Sequence, residues 1–292
     1  TLTEAVAIDR QAKTVSLRDL RTGAASSLGY DKLVLSPGAE PIRPPIPGID
    51  LPGIYSLRSV PDIDRIKKHL DERRPERAVV VGGGFLGLEM AENLHKRGAF
   101  VTIVEALDQV MNVVDFEMAA LVHQHLKSKN VELYLGDGVK TFEKRGSRVV
   151  LKLASGAELD ADLVVLSIGV RPETGLAKEA GLALAPNGAI LVDESLATSD
   201  PDIFALGDAV AFPSPVSGAV LSIPLAGPAN KQARVVAGNI ASPGSRKWQG
   251  SIGTSIARVF DITAASTGLA EKALKKAGTP CASLVKIGRA HV

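Results

Sequence analysis

The stretch RAVVVGGGFLGLEMAENLHKRGAFVTIVEA, residues 77–106, gives the clearest indication of the fold of this chain. Its apolar run at residues 78–81 predicts a buried strand, and residues 100–105 predict a second strand. The apolar spacing of residues 85–96 predicts an amphipathic helix between them. The turn before that helix carries the pattern GxGxxG, formed by Gly82, Gly84 and Gly87. Strand, glycine turn, helix and strand together predict a βαβ unit that binds a dinucleotide.

Each glycine of the turn has a physical rationale in such a unit: a tight turn, close approach of the backbone to a pyrophosphate, and close packing of helix on strand. The free N–H groups and the dipole at the helix start favour a phosphate there. Glu105 ends the second strand, near the distance of about 20 residues at which an acid binds a ribose hydroxyl. A carboxylate at that place favours NAD over NADP. The alternative is a glycine turn with a purely structural role.

An internal repeat relates two parts of the chain. DKLVLSPGAEP, residues 31–41, and DLVVLSIGVRP, residues 162–172, are identical at six aligned positions, and alternating strands with a glycine turn precede each. The second copy has the glycine turn at Gly82 ahead of it, whereas the equivalent turn for the first copy would precede Thr1. We therefore expect a fragment of a longer protein, unless the two segments are alike by coincidence.

Composition narrows the class of protein. The 292 residues are 45% hydrophobic and 23% charged with a net charge of +2, which is ordinary for a soluble globular protein and gives no indication of a nucleic-acid partner. No apolar run reaches the roughly 18 residues of a membrane span, and no signal peptide is evident. Because Cys281 is the only cysteine, we expect a reducing, cytoplasmic environment. Residues 287–292, IGRAHV, match a translated sequencing adapter and are excluded as an expected artefact.

With these motifs the chain resembles the pyridine nucleotide-disulfide oxidoreductases, and within them the coenzyme A-disulfide reductase, NADH oxidase and persulfide reductase branch. The segments that carry the resemblance are YDKLVLSPGAEPIRPPIPG, VVVGGGFLGLEMAENL, SDPDIFALGDAV, IPLAGPANKQARVVAGNI and GSIGTSIARVFDITAASTGLAEKALKKAG.

The resemblance implies an α/β flavoprotein with two dinucleotide-binding domains. It has a three-layer parallel sheet with an antiparallel β-meander, and an NAD domain inserted into a partial FAD domain. Residues 1–72 and 194–250 would be the FAD domain, residues 73–193 the NAD domain, and residues 251–292 the start of a truncated dimerisation domain. A homodimer is implied for the full-length protein.

The resemblance also implies the residues of an FAD site. Asp208 follows a glycine at a strand end, and in the family the acid of this GD pair accepts a hydrogen bond from a ribityl hydroxyl; capping of the next turn is the alternative. Arg58 matches an arginine near FAD, or else is a surface residue. Asn230 could contact the carrier of a thiol substrate, with helix capping as the alternative. The implied FAD residues are Ser36, Pro37, Gly38, Ala39, Arg58, Gly207, Asp208 and Ala226.

For NAD, the resemblance adds positions around the glycine turn. Glu89 matches an acid near the nicotinamide, the one catalytic candidate in the chain, and could instead be a first-turn acid favoured by the helix dipole. His123 and His125 lie two apart on a helix and so point to different faces, which argues against a metal site. The implied NAD residues are Gly82, Gly84, Leu86, Gly87, Glu105, Val114 and Gly169.

The implied activity is transfer of electrons from NADH through FAD to a disulfide, a persulfide or dioxygen. The family's redox cysteine lies in an N-terminal region that has no counterpart here, and Cys281 does not match it, so we expect this chain to be inactive. A rubredoxin- or ferredoxin-type reductase and a nitrite reductase subunit are alternatives of the same fold. A non-catalytic NAD-binding module is the alternative of another class.

Overall fold

The computed structural model describes residues 2–286 and 288. The strands are β1 (Thr3–Asp9), β2 (Thr14–Asp19), β3 (Ala25–Gly29), β4 (Leu33–Leu35), β5 (Ala39–Pro41), β6 (Ile54–Ser56), β7 (Arg77–Val81), β8 (Phe100–Glu105), β9 (Glu132–Leu135), β10 (Val139–Arg145), β11 (Arg148–Leu153), β12 (Glu158–Ala161), β13 (Leu163–Leu166), β14 (Val170–Pro172), β15 (Ile190–Leu191), β16 (Ile203–Ala205), β17 (Val210–Pro213), β18 (Val220–Leu221), β19 (Ser255–Val259) and β20 (Ile262–Ser266).

The helices are α1 (Val60–Arg73), α2 (Phe85–Lys96), α3 (Phe116–Ser128), α4 (Gly175–Glu179), α5 (Ala226–Ala241) and α6 (Glu271–Lys276), with a 3-10 turn at Gly207–Ala209. Across the described part of the chain, none of these helices has both the length and the apolar character needed to cross a bilayer.

The chain forms two compact units. The first unit comprises Thr1–Glu40 and Arg171–Gly253, and the second comprises Pro41–Val170 and Thr254–Val292. These limits differ from the domain bounds expected from the sequence, because residues 41–72 and the segment after Gly253 belong to the second unit and residues 171–193 belong to the first. The physical reason for the first difference is strand β6, which pairs with β13 in the sheet of the second unit.

The second unit is built on a five-stranded parallel sheet in the order β6-β13-β7-β8-β9. Alternate residues of β7 face opposite sides, as a strand requires. Ala78 and Val80 pack with the side chains of α2 and α3, whereas Val79 and Val81 pack toward the antiparallel meander β10-β11-β12. Helices, parallel sheet and meander therefore form the three layers that the resemblance implies.

A two-stranded hairpin, β19-β20, packs on the helical face of the second unit. Val259 and Phe260 at its turn are buried in the same core as α2 and α3. The carboxylate of Glu92, itself 7% exposed, accepts the N–H of Phe260 at 2.8 Å and pairs with Lys96. A two-stranded hairpin is marginal by itself, so this anchoring explains why the segment joins the second unit.

The first unit contains the antiparallel meander β1-β2-β3, the parallel pair β16-β4, and the sheet β15-β17-β18. The internal repeat is visible in this arrangement. Strands β4 and β13 each follow a three-stranded meander, and each leads to a glycine with positive φ, +79° at Gly38 and +102° at Gly169. The two copies therefore have the same local fold, which argues against a coincidental likeness.

Candidate functional site

The glycine turn of the second unit lies at the carboxyl end of β7, with β13 on one side and β8 on the other. This is the switch point of the sheet, where open α/β folds bind ligands. A Cβ at Gly82 would lie 2.1 Å from the carbonyl oxygen of Ser167, and one at Gly87 would lie 2.0 Å from that of Gly82. Both contacts are with backbone atoms, which must shift to admit a Cβ, so packing of the chain itself favours glycine at these two positions.

Gly84 is different, because nothing in the protein requires a glycine there. Its φ of −75° suits any residue, and a Cβ would have no described heavy atom within 4 Å. It occupies the N-cap of α2, and no side chain caps that helix start. The free N–H groups and the open space at Gly84 therefore fit a ligand with phosphate groups that approaches the backbone closely.

The carboxylate of Glu105 is held beside this turn by two backbone groups. Its Oε2 accepts the N–H of Gly83 at 2.7 Å, and its Oε1 accepts the N–H of Leu107 at 2.9 Å. These contacts fix the direction of the side chain at the end of β8 and leave lone pairs on both oxygens. The geometry suits an acceptor for ribose hydroxyls, as expected for a dinucleotide site.

The segment between β8 and α3 is fixed against the glycine turn by contacts that the sequence did not reveal. The N–H of Met111, a residue with φ of +51°, donates to the carbonyl of Gly83 at 2.8 Å. Buried Gln109 donates to the carbonyl of Val114 at 2.9 Å. The ring of His123 accepts the N–H of Val110 at 3.1 Å through Nε2, and burial lowers the pKa of His123.

These contacts hold the segment that contains Val114, which is 8% exposed, beside the glycine turn. They also define a structural role for one histidine that sequence reasoning considered only as a metal ligand. The second of the pair, His125, accepts the N–H of Asp261 at 3.3 Å. No local sequence pattern signals contacts of this kind, because each joins a loop to a distant element.

The remaining NAD candidates lie around the same end of the sheet. Leu86 is half-buried in the first turn of α2. Gly169 follows β13, and its carbonyl accepts the N–H of Ile42 at 3.0 Å. Glu89 is exposed and lies beyond the first turn of α2, which contains no acid, so its alternative interpretation as a first-turn acid is wrong. Its place near a nicotinamide stays a prediction.

In the first unit, the predicted FAD residues lie at the ends of two adjacent parallel strands. β4 pairs with β16, and both lead into turns at the same edge, at residues 36–38 and 206–208. The N–H of Leu206 donates to the carbonyl of Leu35 at 3.0 Å, which joins the two turns. Gly38 has open space where a Cβ would stand, and the residue beside it, Ala39, begins β5. The flanking residues Ser36 and Pro37 are exposed.

Asp208 is a half-buried carboxylate without a donor. Within residues 2–286 and 288 no hydrogen bond reaches it, and burial alone raises its pKa. Other aspartates of the chain do cap turns: Asp19 accepts the N–H groups of Arg21 and Thr22 at 2.8 and 2.9 Å. Asp208 accepts none, so its alternative interpretation as a turn cap is wrong. An acid placed this way fits a ligand that brings its own hydroxyl donors.

Helix α5 lies against the same turn. It begins at Ala226, and no side chain caps its start. Asn230 donates from Nδ2 to the carbonyl of Ala226 at 3.0 Å instead of accepting a free N–H, so the helix-capping alternative for Asn230 is wrong. Gln232, which the sequence did not single out, is 1% exposed and accepts the N–H of Gly207 at 2.8 Å through Oε1.

Arg58 belongs to the second unit, where its backbone N–H donates to Asp62 at 3.0 Å. Its assignment to the FAD site stays a prediction. Among the described residues, no group of histidine, cysteine and acidic side chains could hold a metal ion.

Comparison with known proteins agrees with this geometry. A family model described as pyridine nucleotide-disulphide oxidoreductase matches residues 1–233. An NADH oxidase of Enterococcus faecalis is 36% identical over 269 residues, which is 91% of this chain and 59% of that protein. The crystal structure of reduced CoADR-RHD from Bacillus anthracis is 48% identical with a TM-score of 0.93, over 96% of this chain and 50% of that one.

A further solved structure, an NAD-dependent persulfide reductase from A. fulgidus, is 41% identical with a TM-score of 0.90, over 94% of this chain and 51% of that one. The chain thus spans between half and three fifths of the length of these relatives. The family match covers most of its residues, and the structural matches cover nearly all of them. This chain belongs to the pyridine nucleotide-disulphide oxidoreductase family.

Proposed function

We propose that this chain is part of an NADH-dependent flavoprotein that passes electrons from NADH through FAD to a small-molecule acceptor. The observation that carries the proposal is Asp208, a half-buried carboxylate with no donor among the described residues, at the end of a parallel strand pair. A glycine turn in the second unit, open to a ligand at Gly84, supplies the site for the nicotinamide nucleotide.

The residues of the first unit fit FAD as a polyol-bearing ligand. Asp208 would accept a ribityl hydroxyl, a charge-assisted hydrogen bond that fixes the position of the flavin. The turn of residues 36–39 would approach the flavin closely, since Gly38 leaves open space beside it. The uncapped start of α5 at Ala226 would stabilise negative charge on the flavin edge. FAD, when bound, supplies a group that accepts a hydride from NADH.

In the second unit, the helix start at Gly84 would bind the pyrophosphate of NADH, and Glu105 would accept the ribose hydroxyls. We propose a preference for NADH over NADPH, because the 2′-phosphate of NADPH would meet a carboxylate that two backbone N–H groups already hold in place. The relatives named NADH oxidase and NAD-dependent persulfide reductase support that preference.

The acceptor we propose is a disulfide, a persulfide or dioxygen, following the relatives named above. Cys281 is exposed and lies beyond α6, at a place that does not match the redox cysteine of the family. This chain alone is therefore not expected to complete turnover on a disulfide. Asn230 stays a candidate for contact with the carrier of a thiol substrate, and a cytoplasmic location is proposed from the single cysteine.

A homodimer is proposed for the full-length protein. The large apolar side chains exposed on α3 support an interface there: Phe116 is 53% exposed, Met118 42% and Leu121 52%. Such a patch on a surface helix is typical of a face that another chain covers. Light scattering coupled to gel filtration measures the mass of the full-length protein, and a monomer at micromolar concentration would contradict this part of the proposal.

The proposed function is tested by saturating the purified chain with FAD, removing dioxygen and titrating with NADH. Loss of the visible flavin absorption at one NADH per FAD supports electron transfer, and readmission of each acceptor then identifies the one that restores the band. A chain that binds NADH but takes up no FAD would instead be a non-catalytic NAD-binding module. A chain reoxidised only by an iron–sulfur protein would favour the ferredoxin-reductase alternative.

A further inference from the structure

Gln232 occupies an unusual position for a long amide side chain. It lies in the middle of α5 and is 1% exposed, among residues that pack against the apolar core of the first unit. Burying an amide is unfavourable unless a hydrogen bond compensates. Its Oε1 meets the backbone N–H of Gly207 at 2.8 Å. The described contact that compensates this burial is therefore with the residue before Asp208.

The turn around Gly207 needs such a contact. Gly207 has φ of +81°, and its carbonyl accepts the N–H of Val210 inside the 3-10 turn. A hydrogen bond from the N–H of Leu206 to the carbonyl of Leu35 joins the turn to the end of β4. The contact from Gln232 holds it on the helix side. Without the amide oxygen, the N–H of Gly207 would lose its acceptor at a half-buried site.

The same helix carries a second candidate contact for the flavin. Gln232 lies six residues after Ala226, and at 1.5 Å per residue it is about 9 Å along the axis from the start of α5. Asp208 would accept a hydroxyl of the ribityl chain, and the start of α5 would face the flavin edge. The ribityl chain and the flavin edge belong to one ligand, so the distance between Asp208 and the start of α5 must stay fixed.

We propose that Gln232 is a positioning residue of the FAD site, which fixes the turn bearing Asp208 at a set distance from the start of α5; this inference rests on the proposed function. Gln232 does not touch the flavin in this scheme. It acts through Gly207, because a helix is rigid over two turns and the Gly207 hydrogen bond transfers that rigidity to the turn.

The variant Gln232→Met tests the inference, because methionine has a similar length and lacks the acceptor. Loss of an acceptor for a buried donor should raise the FAD dissociation constant about tenfold or more. The matched control is Asn239→Leu on the same helix, which removes a buried amide that bonds the backbone of Ser195 and Arg246 and has no contact with Gly207. The control should lower the melting temperature at least as much and leave FAD affinity unchanged.

Two readouts separate positioning from stability alone. Flavin fluorescence quenching on titration gives the FAD dissociation constant, and hydrogen exchange of the Gly207 amide in the FAD-free chain reports the contact directly. We expect Gln232→Met to speed that exchange about tenfold or more and Asn239→Leu to leave it unchanged. Equal exchange in wild type and Gln232→Met would overturn the inference.

The outcomes also distinguish this inference from the proposed function. Wild type that binds FAD, together with Gln232→Met of the same FAD affinity, overturns the positioning role and leaves the proposed function standing. Wild type that takes up no FAD overturns the proposed function, and with it the positioning role. A parallel loss of FAD affinity in Asn239→Leu would reduce the effect to general destabilisation and overturn the inference.

Discussion

Alanine substitutions at the three glycines of the turn separate the two that the fold requires from the one that a ligand requires. In Gly87→Ala, the new Cβ would lie 2.0 Å from the carbonyl oxygen of Gly82 and must move to at least 3.0 Å. Overpacking of this kind costs about 1–3 kcal/mol. Gly82→Ala has a similar clash, 2.1 Å from Ser167, and a φ of +111° that adds about 1–2 kcal/mol.

Gly84→Ala should behave in the opposite way. Its Cβ would have no heavy atom of the described residues within 4 Å, and its φ of −75° is ordinary, so the free energy of unfolding should change by less than about 1 kcal/mol. The methyl group would instead occupy the space needed for close approach of a pyrophosphate. We expect the NADH dissociation constant to rise about tenfold or more.

The assay combines two measurements on each variant. Urea unfolding followed by circular dichroism gives the free energy of unfolding, and quenching of NADH fluorescence gives the dissociation constant. The reasoning predicts that Gly82→Ala and Gly87→Ala lose stability and that Gly84→Ala loses NADH. Wild-type NADH affinity in Gly84→Ala, or a loss of stability there equal to that of Gly87→Ala, would refute it.

Three further predictions concern single side chains. Glu105→Arg should weaken NADH and improve NADPH binding in competitive titration, because an arginine accepts a 2′-phosphate, whereas Glu105→Gln, the control, should not gain NADPH affinity. Asp208→Asn should be more stable than wild type near neutral pH without FAD, because burial raises the pKa of Asp208 and disfavours its ionised form in the folded state. Urea unfolding at a series of pH values should show that the stability of the wild type falls as the pH rises through the range in which this carboxyl ionises. His123→Gln should flatten the pH profile of stability, because burial lowers the pKa of His123 below 6.5, so that below this pH the unfolded wild type gains a proton that the folded state excludes.

Contrary results would be specific. An unchanged nucleotide preference in Glu105→Arg would contradict the role of that carboxylate. An Asp208→Asn chain less stable than wild type at neutral pH would mean that the carboxylate is held by a donor in the folded state. If the free energy of unfolding falls identically for wild type and His123→Gln as the pH is lowered, the proton binds to another group.

The sequence was most informative where local patterns and local structure coincide. The predicted helix at residues 85–96 and the predicted strand at residues 100–105 have the same limits in the structure. The spacing of their apolar residues and the glycines that precede them both mark these limits. The internal repeat was equally reliable, since a glycine with positive φ after a buried strand is a strong local constraint.

Contacts between distant residues could not be predicted in this way. The role of Gln232 depends on a hydrogen bond to Gly207, and the role of His123 depends on a hydrogen bond to Val110. No periodic pattern in the sequence links the two residues of either pair. The place of residues 41–72 in the second unit could not be predicted because β6, three residues long, is too short to show alternation. Its partner in the sheet, β13, lies more than a hundred residues later, so only the folded chain reveals the pairing.

We propose that the chain carries two nucleotide sites, one at the Gly84 turn and one at the Asp208 turn. Equilibrium dialysis of wild type, Gly84→Ala and Asp208→Ala against FAD and against NADH tests it most directly. We expect Asp208→Ala to lose FAD affinity about tenfold or more and to keep its affinity for NADH, and we expect Gly84→Ala to do the reverse. Loss of both nucleotides in both variants, or of neither nucleotide in either, would contradict the claim.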